Sequence, residues 1–119
     1  MLKLDQETRV FLSLQPTDMR RGSMSLSAAV VEHFSRNSLD GALYVFVSRD
    51  RKKVKILHWE NDGYWLHYKR LETATFRVRL HDNGTEELSG VELSRLLEGV
   101  DLRRIKLSKR IKVQLSQVA

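Results

Sequence analysis

Apolar and polar positions alternate clearly in several stretches of this chain. In residues 8–14, Val10, Leu12 and Leu14 alternate with Arg9, Phe11 and Ser13, the period of a half-buried strand. Pro16, the only proline, interrupts that run. Leu26, Val30 and Phe34 then recur every four residues and predict a helix over about 23–36. Asn37-Ser38 and Asp40-Gly41 end it. Residues 42–47 (ALYVFV) are almost continuously apolar and predict a central strand.

After a charged bend at 49–53, two β-favouring runs at 54–60 and 64–70 flank Asp62-Gly63, a dipeptide suited to a hairpin turn. Residues 75–80 predict a further strand, with Phe76, Val78 and Leu80 inward and Arg77 and Arg79 outward. The turn at 81–84 is expected to lead into a second helix. Ser89 and Glu92 have capping-box spacing there, Leu93, Leu96, Leu97 and Val100 form a stripe, and Gly99 is a stop. In the tail, Ile111, Val113 and Leu115 alternate like a strand, while Leu107, Ile111 and Leu115 stack like a helix. The expected class is α+β: a single domain with a mostly antiparallel sheet of about five strands, two helices on one face, and a basic C-terminal tail. Residues 1–101 form the domain in this reading and 102–119 the extension.

At 119 residues, with 41% hydrophobic and 30% charged residues, the chain can bury one core. With no cysteine, disulfides and thiolate metal sites are excluded. Acids fall where a signal peptide needs an apolar core, and no window reaches membrane-span length, so a cytoplasmic protein without a membrane partner is expected. The net charge of +6 is unevenly spread. Residues 102–119 carry six basic residues and no acid, leaving 15 of each sign before them. A second knot at 49–55 (RDRKKVK) holds five positive charges and one negative. Such asymmetry fits a polyanionic partner, though a solubilising terminus would look the same.

A two-residue turn at Asp62-Gly63 would set His58 opposite His67 and Ile56 opposite Lys69. With His81, those histidines suggest a metal site, but no carboxylate stands at ligand spacing, and surface or interface histidines are the plainer reading. Glu60, Asp62, Glu72 and Asp82 suggest a metal-dependent nuclease or strand-processing enzyme, the alternative function. Acids also belong in turns for solubility. The chain lacks GxSxG and a glycine-rich phosphate loop, so neither an enzyme nor a cofactor is expected.

The hairpin should put Leu57, Trp59, Leu66 and Tyr68 on one face and His58, Glu60, Trp65, His67 and Lys69 on the other. Aromatics beside cations can stack on bases and meet phosphates. Candidate DNA or partner contacts are Arg20, Arg49, Arg51, Lys52, Lys53, Lys55, Trp65, Lys69 and Arg70. The tail adds Arg103, Arg104, Lys106, Lys109, Arg110 and Lys112. Asp18 lies near the helix start, where it could cap free N–H groups, with Arg20 and Arg21 paired to it or pointing outward.

Several motifs carry a resemblance in order along the chain. They are TDMR at 17–20, GxLxVF at 41–46, VKIL with Trp59, Asp62-Gly63, YKRL at 68–71 and LLEGVD at 96–101. Together the chain resembles the TnpB accessory protein, or second open reading frame, of insertion-sequence family sixty-six, over roughly residues 8–104. The resemblance implies an accessory factor for transposition, encoded beside a separate transposase and without an established catalytic activity. It implies the transposase and the DNA ends of the element as partners. Independently of the resemblance, an apolar edge strand would favour pairing with the transposase or self-association. The chain departs from the family after TDMR, where RGSMSLSAAV, with Ser25 and Leu26, replaces a stretch usually ending in Asp-Gly-Leu.

Overall fold

The computed structural model describes residues 2–99. Its elements are β1 (Arg9–Ser13), α1 (Ser23–Phe34), a 3-10 turn (Ser38–Asp40), β2 (Leu43–Val47), β3 (Lys53–Glu60), β4 (Gly63–Arg70), β5 (Thr85–Ser89) and α2 (Gly90–Leu97). They form one five-stranded sheet in the order β4-β3-β2-β1-β5. The α1 crossover makes β1 parallel to β2, with Val10 beside Leu43 and Leu12 beside Val45. The other neighbours are antiparallel.

The two faces are covered by different helices. Leu26, Ala29 and Val30 of α1 are buried against Phe11, Tyr44, Phe46 and Leu57, an aromatic layer. Phe34 meets Phe11, Tyr44 and Phe46 edge-on at ring separations of 6.2, 5.3 and 6.1 Å. Buried Ser13 shares a 2.9 Å hydrogen bond with His33 of α1. The opposite layer is aliphatic, with Val10, Leu12, Leu43, Val45, Val47, Val54 and Ile56 packed under Leu93 and Leu96 of α2. Each fully buried leucine contributes roughly 1.5–3 kcal/mol. The capping box at the α2 start is complete: Glu92 N donates to Ser89 Oγ at 3.1 Å and Ser89 N to Glu92 Oε1 at 2.9 Å. Gly90 has a second reason to be glycine, because a Cβ there would lie 2.4 Å from the Asp5 carbonyl oxygen.

Several expectations are corrected. The helices lie on opposite faces, because β1 is interior and buries Phe11 and Ser13 as well as Val10 and Leu12. Residues 75–80 are not a strand. Phe76 and Val78 are buried, but their backbone runs irregularly across the α2-side layer, with Phe76 N donating to Arg51 O at 2.8 Å. Apart from a single bridge at Thr75, alternation there reflects one side of an extended segment facing the sheet. The missing strand is β5, which precedes α2 directly. The hairpin turn is Asn61-Asp62, both at positive φ (47° and 71°), and Gly63 opens β4 opposite Glu60. His58 therefore faces Trp65 and Ile56 faces His67, although the division of side chains between faces holds. Asp18 does not cap α1, whose N-cap is Gly22 without a side-chain bond. The expectations for Val100 and the tail fall outside the described residues.

Candidate functional site

Parallel pairing of β1 with β2 delivers the loops after both strands to one end of the sheet. There Thr17 N donates to Val47 O at 2.9 Å, and Lys53 of β3 stands opposite Arg70 of β4. Positions separated by fifty residues thus share one end of the sheet, which has cations on both its faces. It holds Arg20, Arg21, Arg49, Arg51, Lys52, Lys53, Lys55, Lys69 and Arg70, against the acids Asp18, Asp50 and Glu72.

The β2–β3 loop is held by its own side chains. Asp50 Oδ1 accepts from Ser48 Oγ at 2.6 Å and Lys52 N at 3.0 Å, and Ser48 Oγ accepts from Lys53 N at 3.0 Å. The Ser48 hydroxyl in particular holds the Asp50 carboxyl below its ordinary range. Arg51 adopts φ +60° and turns back, Nη1 donating to Val78 O at 3.3 Å. It ties the irregular segment to the loop. Arg49 and Lys52 remain exposed, and their side chains make no hydrogen bond or ion pair among the described residues. A shallow groove runs from this loop to the TDMR stretch, lined by Thr17, Arg20, Arg49, Lys53 and Tyr68.

Among the described residues Lys53 is bonded only through its backbone, whereas the side chains of the remaining cations have partners. Arg20 clasps Asp18 through two nitrogens, at 3.0 and 2.6 Å, and pulls that carboxyl down to about 2. Lys55 Nζ donates to Arg21 O at 2.9 Å and lies 5.8 Å from the Tyr68 ring. Lys69 Nζ donates to Leu97 O at 2.8 Å, closing the C-terminus of α2. Arg70 lies 3.8 Å from Glu72. Gly99 packs so close to Leu71 that a Cβ on it would stand 2.8 Å from Leu71 Cδ1. The described chain therefore ends beside the basic loop. Arg103, Arg104, Lys106, Lys109, Arg110 and Lys112 lie outside the described residues.

Trp65 is not part of this surface. It sits at the opposite end, near the Asn61-Asp62 turn, 58% exposed and stacked on His67 at 6.1 Å. The two line an open cleft of about 730 Å³ with His58, Glu60, Lys3 and Glu7. Burial, with His58 nearby, lowers the His67 pKa, and its buried Nε2 has no hydrogen-bond partner among the described residues. Among the described residues no three His, Cys, Asp or Glu side chains group as metal ligands. Glu60 and Asp62 belong to the hairpin turn while Glu72 follows the far end of β4, so the carboxylates of the nuclease alternative do not converge.

Arg21, not among the candidate contacts, also lies at the basic end and pairs with Ser25 rather than Asp18. It forms 2.6 and 2.8 Å bonds to Ser25 Oγ and O. Its place follows from the parallel crossover, which no local pattern announces.

A family model described as IS66 Orf2-like protein matches residues 8–107. The uncharacterized protein y4hO of Sinorhizobium fredii is 37% identical over 103 residues, covering 87% of this chain and 90% of its own. The uncharacterized protein y4jC of the same organism is 30% identical over 98 residues, covering 82% and 84%. No solved structure matches. No helix among the described residues is long and apolar enough to cross a membrane.

Proposed function

The chain belongs to the IS66 Orf2-like family, and from that premise we propose that it serves transposition by gripping DNA phosphates with the basic end of its sheet. Members of this family are accessory proteins of insertion sequences. The observation that carries the finer reading is the braced β2–β3 loop, which holds Arg49 and Lys52 exposed and without side-chain partners among the described residues. An ion pair would spend these charges internally; here they are available to a polyanion. The six cations of residues 102–119 add to the positive charge of the chain. The DNA ends of the element are the ligand and its transposase the neighbour on that DNA, in the bacterial cytoplasm. Trp65, remote from the cations, takes no part in phosphate binding.

The test is binding of the full chain to labelled duplexes carrying the element ends or a scrambled sequence, over a salt series. Each phosphate contact contributes about −0.9 to the slope of log affinity against log salt. Reversing Arg49 and Lys52 to Glu should weaken binding roughly tenfold or more and flatten the slope by about 2. Lys3→Glu, at the other end, should leave both unchanged. Equal losses from the two reversals would defeat the assignment. No binding at low salt would leave the transposase as the direct partner.

A further inference from the structure

β4 is the outer strand of the sheet along its full eight residues, and no described strand pairs with its far side. Glu60 and Gly63 close the two-residue turn as the last cross-strand pair. In an antiparallel hairpin the bonded pairs then alternate, so Gly63, Trp65, His67 and Lys69 turn their N–H and C=O groups toward β3. Those of Tyr64, Leu66, Tyr68 and Arg70 point away from the sheet. Such an edge is a template for another strand, and long exposed ones are normally blunted. Here the edge carries Trp65 at 58% and Tyr68 at 53% exposure.

We propose that this edge pairs antiparallel with β4 of a second copy, joining two sheets into one of ten strands. The argument for a second copy is self-complementarity. In the register that overlaps residues 64–70 completely, Tyr64 faces Arg70 of the second copy and Trp65 faces Lys69. Leu66 faces Tyr68, and His67 meets His67 on the two-fold axis. Both cations of each strand end up opposite an aromatic ring, and no cation faces a cation. Ring faces attract such cations, and apolar side chains fill the middle. Lys69 can keep its bond to Leu97 O while its alkyl stem covers the indole. Sliding the strands to bring their C-terminal ends opposite each other would instead set Arg70 against Arg70. The acidic β5 edge (TEELS) offers no such match to itself.

The chain has no cysteine, so one introduced cysteine can cross-link only between copies. At position 67 the two thiols would face each other across the axis, within the Cα separation of about 4.4–6.8 Å that a disulfide requires. At position 65 they would be four residues apart along the strands, about 14 Å. The full-length chain, without DNA, should sediment as a dimer. His67→Cys should form a covalent dimer on mild oxidation and Trp65→Cys should not. Tyr68→Pro removes only an outward N–H and should lose the dimer while keeping the circular dichroism of the fold. A wild-type chain that stays monomeric would overturn the proposal, as would equal cross-linking at positions 65 and 67. Because no DNA is present, neither result bears on the phosphate-binding reading.

Discussion

The two ends of the sheet are finished in different ways. At the basic end the loop turns are braced by short side chains, Ser48 and Asp50, and Arg49 and Lys52 have no side-chain partner among the described residues. At the turn end charges are matched within the fold. Arg36 donates to Asp40 at 2.8 Å and to the Tyr44 hydroxyl at 3.1 Å, and lies 4.2 Å from the Phe11 ring. Its exposed surface is aromatic and carries two histidines. The contrast teaches that net charge is a poor guide to a binding surface. A neutral count over residues 1–101 conceals an excess of cations over acids around the β2–β3 loop.

The contrast can be broken most directly at Asp50. Asp50→Ala removes two hydrogen bonds and should cost on the order of 1 kcal/mol in urea unfolding. It should also weaken DNA binding despite raising the net positive charge. Stronger binding would mean that loop geometry is irrelevant.

A smaller effect should appear at the turn end. Burial, and secondarily the neighbouring His58 on β3, place the folded-state pKa of His67 below the ordinary imidazole value. In the unfolded chain the imidazole takes up a proton more readily. Stability should therefore decline as pH falls below about 6.5. His67→Leu should flatten that part of a melting-temperature profile, and an unchanged profile would count against the burial of His67. The smallest effect belongs to Asp18, where Arg20 lowers the carboxyl to about 2. Its contribution is complete above the ordinary value of 3.8 and lost as pH falls through about 2. An NMR titration midpoint near 4 would show that the clasp is not formed in solution.

Much of this fold was legible in the chain. The α1 stripe, the buried β2 run, the β3–β4 hairpin and the Ser89–Glu92 box each rest on a pattern local to a few residues. What was not legible depends on distant partners. β5 reads Thr-Glu-Glu-Leu-Ser and buries only Leu88, so it has too little apolar alternation to be seen. Residues 75–80 have that alternation but cover a face that β1, β2 and β3 had already built. The hairpin turn was misplaced by one residue because Asn61 and Asp62 both tolerate positive φ, leaving Gly63 free to begin a strand. At the candidate site, the exposed loop cations were visible as a charge run. The structural employment of Arg51, Lys55 and Lys69 was not, since their acceptors are backbone carbonyls 27, 34 and 28 residues away.

The direction of β4 has a further geometric consequence. The strand runs from the aromatic turn toward the basic end, finishing at Arg70 beside Lys53. Two such strands paired antiparallel point their basic ends away from each other, on opposite sides of the joint. That arrangement suits a linker better than a clamp: it would hold two separate duplexes apart at a set spacing and not close around one.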